Sequence, residues 1–99
     1  MSVESNANVH EGRAEVRNLQ GMHFRPVGLL AQLAQTFKSA ITLTFEDNTV
    51  DAKSALALTM LGAPQGAELA VRAEGPDAEA AVTALVDLIN NRFGLKDTD

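Results

Sequence analysis

The stretch Gly21-Met22-His23-Phe24-Arg25-Pro26-Val27-Gly28 brings an imidazole, a guanidinium and a proline close together. Pro26 suits the first turn of a helix, because its missing N–H would have had no intrahelical partner and its φ is already helical. A helix starting here turns its orphan N–H groups and the positive end of its dipole toward His23, and such an end attracts anions. Arg25 adds a forked guanidinium able to hold two phosphate oxygens, and Gly21 frees the chain to turn sharply before the ring. A positive helix end also disfavours imidazolium and so favours the neutral, nucleophilic ring. These types at this spacing describe a nucleophilic nitrogen beside a phosphate cradle. Taken by spacing alone, a histidine near a helix start is more often a polar cap or a solvated loop residue.

Other chemistry-bearing residues form weaker patterns. Ser54 stands immediately before the apolar run Ala55–Leu61, where its hydroxyl can cap a helix. His10 lies in a polar N-terminal stretch and reads as disordered, while Asp47 and Asp51 read as turn and strand-edge residues rather than an acid–base pair. With two histidines far apart and no cysteine, the spacing suggests no metal site, and no cofactor is expected. Gly62, Gly66 and Gly75 make no phosphate-loop or dinucleotide spacing.

The elements that must position these residues follow from the hydrophobic periods. Ala14, Val16 and Asn18 alternate with polar neighbours as a strand; Val27, Leu30, Ala34 and Phe37 then form a helical stripe from Pro26 onward. Ile41, Leu43 and Phe45 make a second strand, turning at Glu46-Asp47-Asn48 into a third over 49–52. Ala55–Leu61 reads as a short helix ended by Gly62, and Leu69, Val71 and Ala73 as a fourth strand. Asp77 is placed to cap a last helix with Ala81, Leu85 and Leu88 inward and Val82 and Ile89 on the flank. The order β-α-β-β-α-β-α implies an α+β open-faced β-sandwich: a four-stranded, mainly antiparallel sheet with three helices on one face. Residues 1–11 are expected to be a flexible extension, 12–95 one domain and 96–99 a charged tail.

Ninety-nine residues suffice for one modest core. Eight Lys and Arg against thirteen Asp and Glu give a net charge of −5, which opposes binding to a phosphate backbone, so nucleic acid is not an expected partner. No apolar run approaches the ~20 residues that span a bilayer, so no membrane insertion is expected and the chain reads as soluble and cytoplasmic.

The motif G-M-H-F-R-P-V resembles the active-site signature of the HPr family, the histidine-containing phosphocarriers of the sugar phosphotransferase system. The likeness extends over about 12–91 and includes the serine before the short helix, the Leu61-Gly62 pair, the Gln65-Gly66 turn and Ala73-Glu74-Gly75. It implies a carrier, not a stand-alone enzyme, that accepts a phosphoryl group from phosphoenolpyruvate through enzyme I on Nδ1 of His23 and passes it to an enzyme IIA-type protein. Arg25 would compensate charge and the backbone amides of Phe24 and Arg25 would receive phosphate oxygens. The resemblance further implies that Ser54 is a target of an HPr kinase/phosphorylase, which allows a second reading as a regulatory interaction module.

Four positions depart from the family pattern, of which Pro64, before Gln65-Gly66, reads as a tolerated turn variant. Phe24 replaces a small residue or threonine and is either a partner contact or an obstacle to one. Gln32 and Gln35 stand where many relatives carry lysine, so apolar Leu29, Leu30, Leu56 and Met60 are left as the docking candidates, with burial the alternative for Leu30 and Leu56.

Overall fold

The computed structural model of the chain describes residues 8–96. Its elements are β1 (Val9–Glu15), α1 (Phe24–Gln35), β2 (Ala40–Phe45), β3 (Asn48–Asp51), α2 (Ala55–Leu61), β4 (Glu68–Glu74) and α3 (Ala78–Asn90), then a tight turn over Arg92–Gly94. The sheet order is β1-β4-β2-β3, and each neighbouring pair is antiparallel. Alternation along the strands sends Ala14, Ile41, Leu43, Leu69, Val71 and Ala73 into the core, where Leu30, Leu58, Leu85 and Ile89 of the helices meet them. Arg13, Thr42 and Arg72 stand on the opposite, helix-free face. The expected element order and open-faced sandwich are those observed.

Several boundaries differ from the sequence reading. β1 begins at Val9, so residues 9–11 belong to the sheet rather than to a flexible extension, and His10 pairs with Ala73 instead of being disordered. The reason is that the inward positions at the start of β1 are His10 and Gly12, which carry no apolar side chain to reveal a period. Gly12 is required there: a Cβ would sit 2.9 Å from Val82 and 3.2 Å from Val86 on α3. The remainder of the expected extension, 1–7, and positions 97–99 of the tail lie outside the described residues. α1 starts at Phe24, two residues ahead of Pro26, and ends before Phe37, where Thr36 and Phe37 N–H groups bond three residues back and tighten the last turn. On α3 it is Ile89 that is fully buried while Leu88 is half-buried, a small rotation of the expected stripe.

Asp77 takes the N-cap position of α3, but its carboxylate makes no cap bond. It accepts instead from the Lys38 and Ser39 N–H groups, both at 2.9 Å, and from the Ser39 hydroxyl at 2.5 Å. The Ser39 hydroxyl in turn accepts from the Asp77 N–H (3.2 Å). These bonds tie the connection between α1 and β2 to the start of α3. They lower the Asp77 carboxyl to about 2, the Ser39 hydroxyl contributing most.

Candidate functional site

The connection from β1 to α1 is built to deliver one ring to a helix mouth. Val16 stays in register with the turn at 64–67, its N–H donating to Ala67 O (2.9 Å) and its carbonyl accepting from Gly66 N–H (2.7 Å). The chain then reverses at Gly21, which has φ +70 and so tolerates only glycine comfortably. A Cβ at Gly21 would also lie 2.7 Å from the Ala63 carbonyl and 2.9 Å from Pro64 Cα. The buried Asn18 amide donates to the Gly21 carbonyl (2.7 Å), and Met22 N–H donates to Ala63 O (2.8 Å). Pro64 thus belongs to the wall against which the His23 loop is laid.

His23 occupies the N-cap of α1 with extended backbone, φ −88 and ψ −175, and its side chain makes no cap hydrogen bond. The polar-cap reading of this histidine is therefore set aside. Its carbonyl receives the first intrahelical bond, from Val27 N–H at 3.1 Å. Pro26 is the third residue of the helix and is buried, so the amides ahead of that first bond are those of Phe24 and Arg25. Both side chains are exposed, and no acidic residue lies in the first turn. The mouth of α1 thus joins an imidazole, two amide N–H groups, the positive dipole end and a guanidinium. The Phe24 ring, 80 % exposed, stands edge-on to the imidazole, with centroids 6.0 Å apart and planes at 83°.

Ser54 is the N-cap of α2, and its hydroxyl accepts from Ala57 N–H at 3.1 Å. Gln35 braces the same region by donating to the Lys53 carbonyl (2.8 Å), while Lys53 Nζ reaches the Phe37 carbonyl (2.7 Å). Asp51 accepts from Lys53 N–H (2.9 Å) and Asp47 lies in the hairpin turn, both structural placements. Of the apolar docking candidates, Leu56 and Met60 are exposed and Leu29 partly so, whereas Leu30 is wholly buried in the core. Leu19, exposed on the loop leading to His23, is an apolar surface residue that no period in the sequence marks. Among the described residues no three His, Cys, Asp or Glu side chains cluster as metal ligands would. A depression of about 570 Å³ on the helix-free sheet face, lined by Arg13, Thr42, Thr44, Thr49 and Arg72 among others, includes none of the candidate residues.

Fold and junction together define a class: a small open-faced sandwich that offers a histidine at the N-terminus of its first helix. The family profile described as "PTS HPr component phosphorylation site" matches residues 10–91. The phosphocarrier protein HPr of Cupriavidus necator is 40% identical over 77 residues, covering 78% of this chain and 86% of that one. That of Chlamydia trachomatis is 37% identical over 79 residues, covering 80% and 72%. Among solved structures, HPr from Thermoanaerobacter tengcongensis superposes with a TM-score of 0.83 at 40% identity, covering 88% of this chain and 98% of that chain. HPr from Bacillus anthracis gives 0.78 at 31%, covering 82% and 96%. The chain belongs to the HPr family, the phosphocarriers of the phosphotransferase system. No helix among the described residues is long and apolar enough to cross a membrane.

Proposed function

We propose that this chain carries a phosphoryl group on Nδ1 of His23, taking it from phosphoenolpyruvate by way of enzyme I and handing it to an enzyme IIA-type partner in the cytoplasm. The pathway is either sugar uptake or a regulatory phosphotransferase branch. The observation that carries this reading is the N-cap histidine whose side chain is not engaged as a cap, at a helix mouth where the Phe24 and Arg25 amides precede the first intrahelical bond. Phosphoryl transfer passes through a loose transition state, so position and charge compensation are most of what a carrier has to contribute. His23 supplies the nucleophilic nitrogen, the two amide N–H groups donate to phosphate oxygens, and the Arg25 guanidinium offsets the phosphate charge. Phe24, Leu29, Leu56 and Met60 are the exposed apolar residues available to a docking protein.

Incubation with enzyme I and labelled phosphoenolpyruvate should place an acid-labile, base-stable phosphate on the protein, lost in His23→Ala. Absence of label on the wild type would sink the carrier reading. A second, regulatory reading draws on Ser54, whose hydroxyl lies at the N-terminus of α2, where phosphate charge is electrostatically tolerated. An HPr kinase/phosphorylase with ATP should then add an acid-stable phosphate that Ser54→Ala abolishes.

A further inference from the structure

Backbone bonds hold His23 from both sides. Met22 N–H donates to Ala63 O (2.8 Å), His23 N–H to Gly21 O (3.0 Å), and the His23 carbonyl receives Val27 N–H (3.1 Å). Buried Pro26 and Val27 anchor the first turn of α1 behind it. These bonds fix where the side chain starts but not its two torsions. The direction of the ring nitrogens is left to whatever lies beside the half-buried imidazole. The Phe24 ring lies there, with centroids 6.0 Å apart and planes at 83°, the edge-to-face arrangement that aromatic pairs prefer.

Phe24 takes little else from the fold, being 80 % exposed, so core packing does not demand a ring at this position. One turn further along α1 is Gly28. Side chains on a helix lean toward its N-terminus, so a long side chain at 28 would reach back onto Phe24, as pairs four residues apart do. A Cβ at Gly28 would meet nothing within 4 Å. Packing therefore does not call for glycine there, and glycine inside a helix costs stability. Its effect is to leave the flank of Phe24 clear of a competitor on α1, and the imidazole is the ring that Phe24 stands against.

We propose that Phe24 is a positioning residue for His23: its ring holds the imidazole in one orientation at the mouth of α1, so that the nucleophilic nitrogen is already aimed when a phosphoryl donor docks. The functional part of this rests on the carrier reading, while the contact between the rings does not. A ring set in advance spares the transfer step the ordering of two torsions, which raises its rate without tightening the binding of the donor. An apolar docking contact would act on binding instead.

Two measurements on the full-length chain test this, with wild type, Phe24→Leu and Phe24→Tyr compared. Leucine keeps apolar bulk at an exposed site and removes only the aromatic edge. In the first, NMR of the unphosphorylated protein reads the three-bond couplings about the His23 side-chain torsion. A single rotamer is expected in the wild type and in Phe24→Tyr, and averaged couplings in Phe24→Leu. In the second, enzyme I and phosphoenolpyruvate phosphorylate each protein over a range of concentrations. Phe24→Leu should lower kcat about two- to tenfold, the change in population that an edge-to-face pair sustains, with KM little altered, and Phe24→Tyr should restore it. Averaged couplings in the wild type, a single rotamer kept in Phe24→Leu, a loss confined to KM, or no rescue by tyrosine would overturn the inference. A wild type that takes no label defeats the carrier reading, and the couplings then decide by themselves whether Phe24 holds the ring.

Discussion

At the start of α2 a single hydroxyl has a structural duty that any modification of Ser54 must respect. It accepts the Ala57 N–H and so satisfies one of the amides that a helix start leaves without a partner. Ser54→Ala should cost about 1 kcal/mol. In a domain of this size that lowers Tm by roughly 4–8 °C in calorimetry. Ser54→Asp, which keeps an acceptor, should hold Tm near the wild type; an unchanged Tm in Ser54→Ala would contradict the capping role. His23, Arg25 and Ser54 were legible in the sequence because rare or polar types stood at positions where helix ends demand something of them. Leu30 was ambiguous, since helical spacing does not reveal which rim of a stripe faces the sheet.

Between elements, the tie from Asp77 to Ser39 shows what a capping motif can conceal. Aspartate ahead of a helix suggested a cap, yet the carboxylate turns away and holds the α1–β2 connection. Gly75, with φ +149, makes room for this, since a Cβ there would lie 2.6 Å from the Ser39 hydroxyl. The hydrogen bonds from Ser39 and Lys38 lower the carboxyl from 3.8 to about 2. A group depressed on folding contributes its stability above the unfolded value of 3.8 and loses it as pH falls through about 2. Asp77→Asn should therefore lower Tm at pH 7, and the gap to the wild type should narrow over that acid interval in thermal melts. A gap constant with pH would show that the carboxylate charge is not what the tie uses. The element order was readable because each strand and helix kept its own period. The first residues of β1 were not, because histidine and glycine fill its first inward positions.

For the molecule as a whole, one core joins the sheet to all three helices, and Leu85 of α3 lies at its centre with no exposed surface. Leu85→Ala should cost about 2–5 kcal/mol, a large part of the ~5–15 kcal/mol expected of a small domain. Urea melts should show the midpoint falling with little change in slope. A loss under about 1 kcal/mol would mean that the neighbouring side chains collapse into the space. The strand order has a further consequence, for the time course of synthesis. β4 lies between β1 and β2 and pairs with both, yet it is the last strand to be made. A ribosome adding about 5–20 residues per second leaves β1 waiting several seconds for its only partner in the sheet. Meanwhile the hairpin of β2 and β3 can close by itself. The nascent chain thus holds an unpaired edge with charges at Glu11, Arg13 and Glu15 along one side, and charge on a waiting edge is what discourages it from pairing with another chain.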